Sequence, residues 1–298
     1  MNYPSYEIIL SSGGIKGISH VGALESFFQY IPSLHIKYYT GCSIGALICL
    51  LLTIGYTIHE IKEICFFIEF EQFQDCKMKH FFENAGLDEG YMYTNLFKAM
   101  MLYKKYPDTL TFQQLYAQTD IVLTFVTTNI TKGIPEYHNY IVTPHLNVLL
   151  SLRMSTNIPF IFTPILYNHQ FYVDGALLDP FPYFYHKTDP KYKYGIWIKD
   201  SPEYIVTILN SFQYMYNIVK IIYQNYIEEK YKKRLPNVMY INVQLKKKDI
   251  DVFQLSLTDK IKIFTIGKKV CHSFFHKIYK KKKRKRLLST YFYRWKYI

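Results

Sequence analysis

The chain has 298 residues, 49% of them hydrophobic and 20% charged, which suits one large α/β domain with a full core and argues against a disordered chain. The formal net charge of +13 is concentrated at one end. Residues 277–298 hold ten Lys or Arg and no acid, leaving 26 bases against 23 acids in the other 276 residues, so the body is close to neutral and no nucleic-acid partner is expected.

Five cysteines, at positions 42, 49, 65, 76 and 271, form no C-x-x-C pair and no Cys/His cluster of metal-binding spacing. Free thiols in a reducing compartment and no metal site are expected. The first ten residues, MNYPSYEIIL, lack a basic region followed by an apolar core, so a secretory signal is not expected. The longest apolar run, Ala46 to Tyr56, is too short to span a bilayer, which takes about 20 residues, and reads as a buried helix. The expected location is intracellular and cytoplasmic, with peripheral membrane contact.

In chain order, Glu7 to Leu10 reads as a short strand running into SSGGIKG. Ser19 to Tyr30 places Val21, Leu24, Phe27 and Phe28 at helical spacing. Ile36 to Tyr39 is a second strand, leading into GCSIG and then the apolar helix Ala46 to Ile54. Two strands joined through a helix imply a right-handed crossover and a parallel sheet. From Ile61 to Lys105 helices are expected around a turn at Gly86 to Gly90, and Ile121 to Thr127 is a buried strand. Leu146 to Met154 reads as a short helix, Gln170 to Val173 as a strand stopped by Asp174-Gly175, and Ser201 to Lys233 as mostly helical. Ile196 to Ile198 and Val238 to Val243 are later strands.

Three patterns carry chemistry. GCSIG, Gly41 to Gly45, lies between a strand and a helix, where a tight turn flanked by glycines projects a serine hydroxyl and the helix start faces developing negative charge. Ser43 is the candidate nucleophile, and the neighbouring Cys42 is expected to point into the core as an inert thiol. The glycine loop Gly13-Gly14-Ile15-Lys16-Gly17 also follows a strand and opens a helix. It fits neither the Walker nor the dinucleotide fingerprint. Beside a serine elbow it is a candidate oxyanion hole, with Lys16 either a phosphate contact or solvated. The third pattern is YVDGALLDPFP, Tyr172 to Pro182, where Asp-Gly follows an apolar strand. A serine nucleophile needs a base. His35, His59, His80, His272 and His276 stand in no supporting motif, and His20 reads as structural. A carboxylate held against the hydroxyl can serve, because proximity offsets its low basicity.

Together these segments resemble the patatin-like phospholipase family. LSSGGIKGISHVGAL is similar to its glycine-rich block, GCSIG to its nucleophile elbow, and SLRMSTNIPFIFTPI followed by FYVDGALLDPFP to its later blocks, in order and at the customary spacing. Weaker similarity runs through GLDEGYMY, TFQQLYAQTDIVLTFVTTNITKG and Asp251 to Val270. The resemblance implies a three-layer α/β/α sandwich with a mostly parallel central sheet over residues 1–276. It implies Ser43 as nucleophile, Asp174 as base and the N–H groups of Gly13, Gly14 and Ile15 as oxyanion donors. Lys16, Gly17, Gly41, Gly45 and Gly175 would support the motifs. The implied reaction is hydrolysis of a fatty-acyl ester of a phospholipid or other acyl lipid, with no metal or organic cofactor. Two positions depart from the pattern: Ser12 replaces the loop's first glycine, where a positive φ would strain a serine, and Ala176 replaces the second glycine after the aspartate.

Two other functions compete: a lipid-binding pseudo-enzyme of the same fold, motivated by Ser12, and an α/β-hydrolase with a Ser-Asp-His triad. The latter usually has more strands before its elbow, and nothing around His186 marks a catalytic loop. The C-terminal tail, residues 277–298, contains Lys280, Lys281, Lys282, Lys283, Arg284, Lys285 and Arg286 followed by aromatics. It reads as a solvated tail, as an attachment to anionic membrane, or as a nuclear-targeting or RNA-contacting segment.

Overall fold

The computed structural model describes residues 5–32, 34–69, 72, 81, 83–199, 211–244 and 255–294. Its elements begin with β1 (Tyr6–Leu10), α1 (Ile18–Tyr30), β2 (Ile36–Cys42), α2 (Ile44–Thr53), α3 (Ile58–Phe67), β3 (Gly86–Asp88), α4 (Tyr91–Tyr103) and α5 (Phe112–Thr119). They continue with β4 (Val122–Asn129), β5 (Ile134–His138), α6 (Val148–Ser155), β6 (Phe160–Phe162), β7 (Ile165–Tyr167) and β8 (Gln170–Asp174). Last come β9 (Lys193–Lys199), α7 (Ser211–Lys230), β10 (Val238–Asn242) and α8 (Leu257–Arg294).

The fold is α/β, with helices flanking an eight-stranded sheet of order β10-β9-β1-β2-β4-β8-β7 in which β5 also pairs with β4. The five successive strands β10, β9, β1, β2 and β4 are parallel; β5, β8 and β7 add antiparallel pairings. All eight residues of β4 are buried, as expected of a strand covered on both faces. Alternation along β1 sends Ile8 and Leu10 into a large core with α1, α2 and α8, and Ile9 into a smaller one with Phe181, Trp197 and Tyr231 on the opposite face. Helix α2 is apolar all round and buried along nearly its whole length. Helices α3 and α5 each start with a capping box, Thr57 with Glu60 and Thr111 with Gln114. Helix α8 crosses α1 closely: a Cβ on Gly22 would fall 2.0 Å from the Phe264 carbonyl oxygen, and one on Gly267 would fall 2.0 Å from that of Ser19.

The turn expected at Gly86 to Gly90 is partly a strand. Gly86–Asp88 pairs in parallel with Phe160–Phe162 as a small second sheet, and α4 starts just after it. The residues are too few for alternation to show in sequence. Helix α8 runs unbroken through position 277, and Ile278 packs against the large core. Residues 201–210 at the start of the expected helix, Cys76, His80 and residues 251–254 lie outside the described residues.

One feature of the pairing positions the site. Thr127 to Asn129 of β4 pair with both β5 and β8, while Phe125 and Val126 pair with both β5 and β2. A strand has two edges, so β2 and β8 share the edge opposite β5. Because β2 is parallel and β8 antiparallel to β4, their carboxyl ends point at each other. Cys42 sits opposite Val126 and Asp174 opposite Thr127, on consecutive residues of β4.

Candidate active site

Ser43 follows β2 and is the N-cap of α2, with φ 55° and ψ −123°. A non-glycine residue in such a conformation is strained, and the surroundings hold it there. Its N–H donates to Ser155 Oγ at 3.1 Å, and its carbonyl accepts from the N–H groups of Ala46 and Leu47 in the first turn of α2. The side chain is nearly buried, at 6% exposure. Gly41 is the last residue but one of β2.

Ser43 Oγ donates to Asp174 Oδ2 at 2.6 Å. The other oxygen, Oδ1, accepts from the Ala176 N–H at 2.8 Å and, more weakly, from the Cys42 thiol at 3.9 Å. Gly175 opens a 3-10 turn immediately after the aspartate, and that turn places the Ala176 N–H. Burial raises the Asp174 pKa from 3.8 to about 7, while the bonds from Ser43, Ala176 and Cys42 pull the other way. A carboxylate tuned to that range can take a proton from a hydroxyl and return it near neutral pH.

The glycine loop lies against the elbow. A Cβ on Gly45 would fall 2.4 Å from the Leu10 carbonyl oxygen, and one on Gly17 would fall 2.3 Å from Ile44 Cγ1, so hydrogen at both positions lets the loops touch. Gly14 to Gly17 form a 3-10 turn in which the Lys16 N–H closes on the Gly13 carbonyl. The N–H groups of Gly14 and Ile15, at the start of the turn, have no acceptor within it. The left-handed residue is Gly14, with φ 52°; Ser12 is not among the positive-φ residues. The strain considered for Ser12 is absent because the turn places its left-handed step two residues later. Ser12 instead donates its N–H to Pro180 O at 2.8 Å, tying the loop to the segment after Asp174. Lys16 is half-buried, and its carbonyl accepts from Ser19 Oγ.

Gly14, Ile15 and Ser43 help line a pocket that opens to solvent and encloses, its open mouth included, about 570 Å³. Ile44, Leu47, Tyr93, Phe97, Ile158 and Phe162 make apolar walls, and Thr156 also borders it. Phe162 is held from behind by the buried Arg153 guanidinium, 4.9 Å from its ring centre.

The buried His20 and His138 and the half-buried His186 are engaged elsewhere. His20 Nε2 bonds the Ser11 carbonyl at 2.9 Å, His138 Nε2 bonds Thr127 Oγ1 at 2.9 Å, and His186 Nε2 bonds Thr124 Oγ1 at 3.1 Å. Burial lowers the pKa of each to about 4. His20 has a partner on one nitrogen, while its Nδ1 has none. The Cys42 thiol is buried, and burial first, then the Asp174 charge, raises its pKa well above the ordinary thiol value, which leaves it a poor nucleophile. Among the described residues, no group of three or more His, Cys, Asp or Glu is placed to hold a metal ion.

Residue-by-residue reading missed three contributors. Ser155 is one of two serines in the segment Ser151 to Ile165, which shows no individual role for it. The bond from the Cys42 thiol to Asp174 depends on tertiary placement. Asp179 is buried, accepts from Tyr137 OH at 2.6 Å and pairs with Lys230 at 3.0 Å, anchoring the far end of the Asp174 loop.

A parallel-centred α/β sheet with a strained serine and a buried aspartate at meeting strand ends defines the class: a serine–aspartate domain with an apolar pocket. A model of the patatin-like phospholipase family matches residues 8–185, and the chain belongs to that family. It is 32% identical over 180 residues to "Probable lipid hydrolase 463L" of Invertebrate iridescent virus 6, covering 59% of this chain and 61% of that protein. It is 31% identical over 173 residues to "Uncharacterized protein R571" of Acanthamoeba polyphaga mimivirus, covering 57% of each. The chain thus spans less than two thirds of the length of these curated relatives. Among solved structures, VipD from Legionella pneumophila superposes with a TM-score of 0.65 at 15% identity, over 92% of this chain and 67% of VipD. The type III effector protein ExoU gives 0.51 at 13%, over 92% of this chain and 53% of its own. These two similarities show a shared fold.

Proposed function

We propose that this protein hydrolyses fatty-acyl esters of phospholipids or related acyl lipids through a Ser43-bound acyl-enzyme, with Asp174 as the base. The observation that carries this reading is the 2.6 Å bond from Ser43 Oγ to Asp174 Oδ2 on a strained turn beside an apolar cavity. Family membership and the name of the iridescent-virus relative support a lipid substrate.

In the first half-reaction Ser43 Oγ attacks the acyl carbon and its proton passes to Asp174. Negative charge on the carbonyl oxygen is received by the N–H groups of Gly14 and Ile15, with Gly13 beside them. Collapse breaks the ester C–O bond, the leaving alcohol takes the proton from Asp174, and the acyl group stays on Ser43. Water then attacks the acyl carbon, giving its proton to Asp174. The fatty acid leaves as Oγ recovers that proton. Helix α2 starts at Ser43, so its positive end also faces the oxyanion.

Residues 277–298 are proposed as an accessory membrane-attracted segment on the same chain, and the four described cysteines, all free and buried, suit a reducing compartment. Among the described residues no helix is long and apolar enough to cross a membrane. Labelling with a fluorophosphonate followed by peptide mapping tests activity and nucleophile together. Modification at Ser43 is expected. An unlabelled protein, or a label on another residue, refutes the reading.

A further inference from the structure

We infer that this protein seats on a lipid surface through two apolar rims, each on an element tied to the Ser43–Asp174 site: the outer face of α7 and the β7–β8 hairpin. The choice of a lipid as the partner rests on the proposed function; the geometry does not.

Helix α7 is apolar on its outer face. Between Ser211 and Ile227 the sequence carries one charge, Lys220. Tyr214, Ile218, Ile221 and Ile222 fall on one side at helical periodicity, and all are exposed, Ile221 by 58% and Ile222 by 65%. A surface helix of a globular domain normally turns such a stripe inward. The root of α7 is bound to the loop that carries the candidate base. Tyr226 OH and Lys230 Nζ each donate to the Leu178 carbonyl at 3.1 Å, and Lys230 pairs with Asp179 at 3.0 Å. Leu178 lies four residues beyond Asp174. Exposed Lys232, Lys233 and Arg234 follow the root.

The second rim comes from the strand geometry. Strand β8 shares with β2 one edge of β4, so the β7–β8 hairpin extends past the end of β2. The Ile130 N–H donates to the Phe171 carbonyl at 2.9 Å, three residues along β4 from Thr127, or about 10 Å beyond the level of Asp174. Leu166 and Phe171 are cross-strand partners there, and both are exposed, Leu166 by 61%.

Two separate elements tied to the site thus carry exposed apolar side chains, α7 through its root on the loop after Asp174 and the hairpin through β8, which ends at Asp174. A bilayer surface matches both together. Isoleucine and leucine enter the acyl boundary, Tyr214 and Tyr226 sit at headgroup level, and the basic root faces anionic headgroups. The cavity at Ser43 then draws its acyl chain from the surface on which the protein rests.

Vesicle flotation of the full chain carrying Ser43→Ala tests this without any turnover, so a protein lacking esterase activity would refute the proposed function and leave this measurement intact. Vesicles of phosphatidylcholine, alone and mixed with phosphatidylglycerol, are the probes. Ile218→Asp with Ile222→Asp on the helix, and separately Leu166→Asp on the hairpin, should each lower binding by roughly tenfold or more while leaving the melting temperature unchanged. The loss should persist at high salt, since apolar seating is not screened. Removal of residues 281–298 should instead reduce only the salt-sensitive part. Flotation of both variants like the parent, or no binding of the parent to either vesicle, overturns the inference. So does a helix variant that converts a dimer to a monomer in gel filtration without changing flotation, because the stripe would then be a protein interface.

Discussion

Ser43 and Asp174 are 131 residues apart in sequence, yet their side chains meet at 2.6 Å because β2 and β8 end head to head on one edge of β4. The register, Cys42 opposite Val126 and Asp174 opposite Thr127, leaves no residue of β4 between the two strand ends. A shift of either strand by one residue would turn its last side chain to the other face of the sheet. The distance between candidate nucleophile and base is therefore a property of one strand's pairing.

Ser43→Ala and Asp174→Asn should each abolish ester hydrolysis without unfolding the protein. The two groups act on one proton, so the double variant should be little worse than either single one. Turnover of a chromogenic acyl ester together with circular dichroism decides it. Substantial activity in either single variant with a normal spectrum would show that the pair has been misassigned.

The pH dependence of activity and that of stability should run in opposite directions. Asp174 must be ionised to accept a proton, so kcat/KM should rise through pH about 7 on its acidic side. For folding, a raised pKa means that the native state holds this proton more tightly than the unfolded chain. The associated stability is full below pH 3.8 and is lost as the pH rises toward 7, by roughly 4 kcal/mol in all. Asp174→Asn cannot ionise, so its melting temperature should exceed that of wild type at pH 8, with the gap closing toward pH 4. An equal gap at both pH values would contradict the buried charge.

Ser155→Ala removes the acceptor for the Ser43 N–H and leaves that buried donor unpaired. The strained turn should loosen, lowering kcat by about tenfold while changing KM by less than about twofold. The rate of fluorophosphonate labelling should fall in parallel. A variant with wild-type labelling and wild-type kcat would mean that the elbow holds its shape without this bond.

The basic segment should contribute attraction to anionic membranes and no chemistry. Removing residues 281–298 spares the packing of Ile278 and the contact of Tyr279 with Tyr30. Each base near an anionic surface contributes about 1 kcal/mol, so co-sedimentation with such vesicles should drop by orders of magnitude at low salt and little at high salt. Hydrolysis of a soluble short-chain ester should be unchanged. Equal co-sedimentation of the full and shortened chains at low salt would leave the segment without this role.

What the sequence determined by itself is local. GCSIG shows a serine on a tight turn flanked by glycines, SSGGIKG shows a strand opening into a helix through a glycine-rich turn, and YVDG shows a carboxylate at a strand end. Each is written in consecutive residues because backbone angles and turn chemistry depend on near neighbours. The charge of residues 277–298 is legible for the same reason. Only the tertiary structure decided that β2 and β8 abut on β4, that Ser155 holds the elbow, that the Cys42 thiol bonds the aspartate, and that α7 turns its isoleucines outward. These relations join residues up to 132 positions apart, as with Cys42 and Asp174. Nothing in the short strands β7 and β8 specifies which edge of β4 they take. That choice follows from packing the whole sheet, in which β5 occupies the opposite edge of β4 and leaves β8 the one that β2 has already begun.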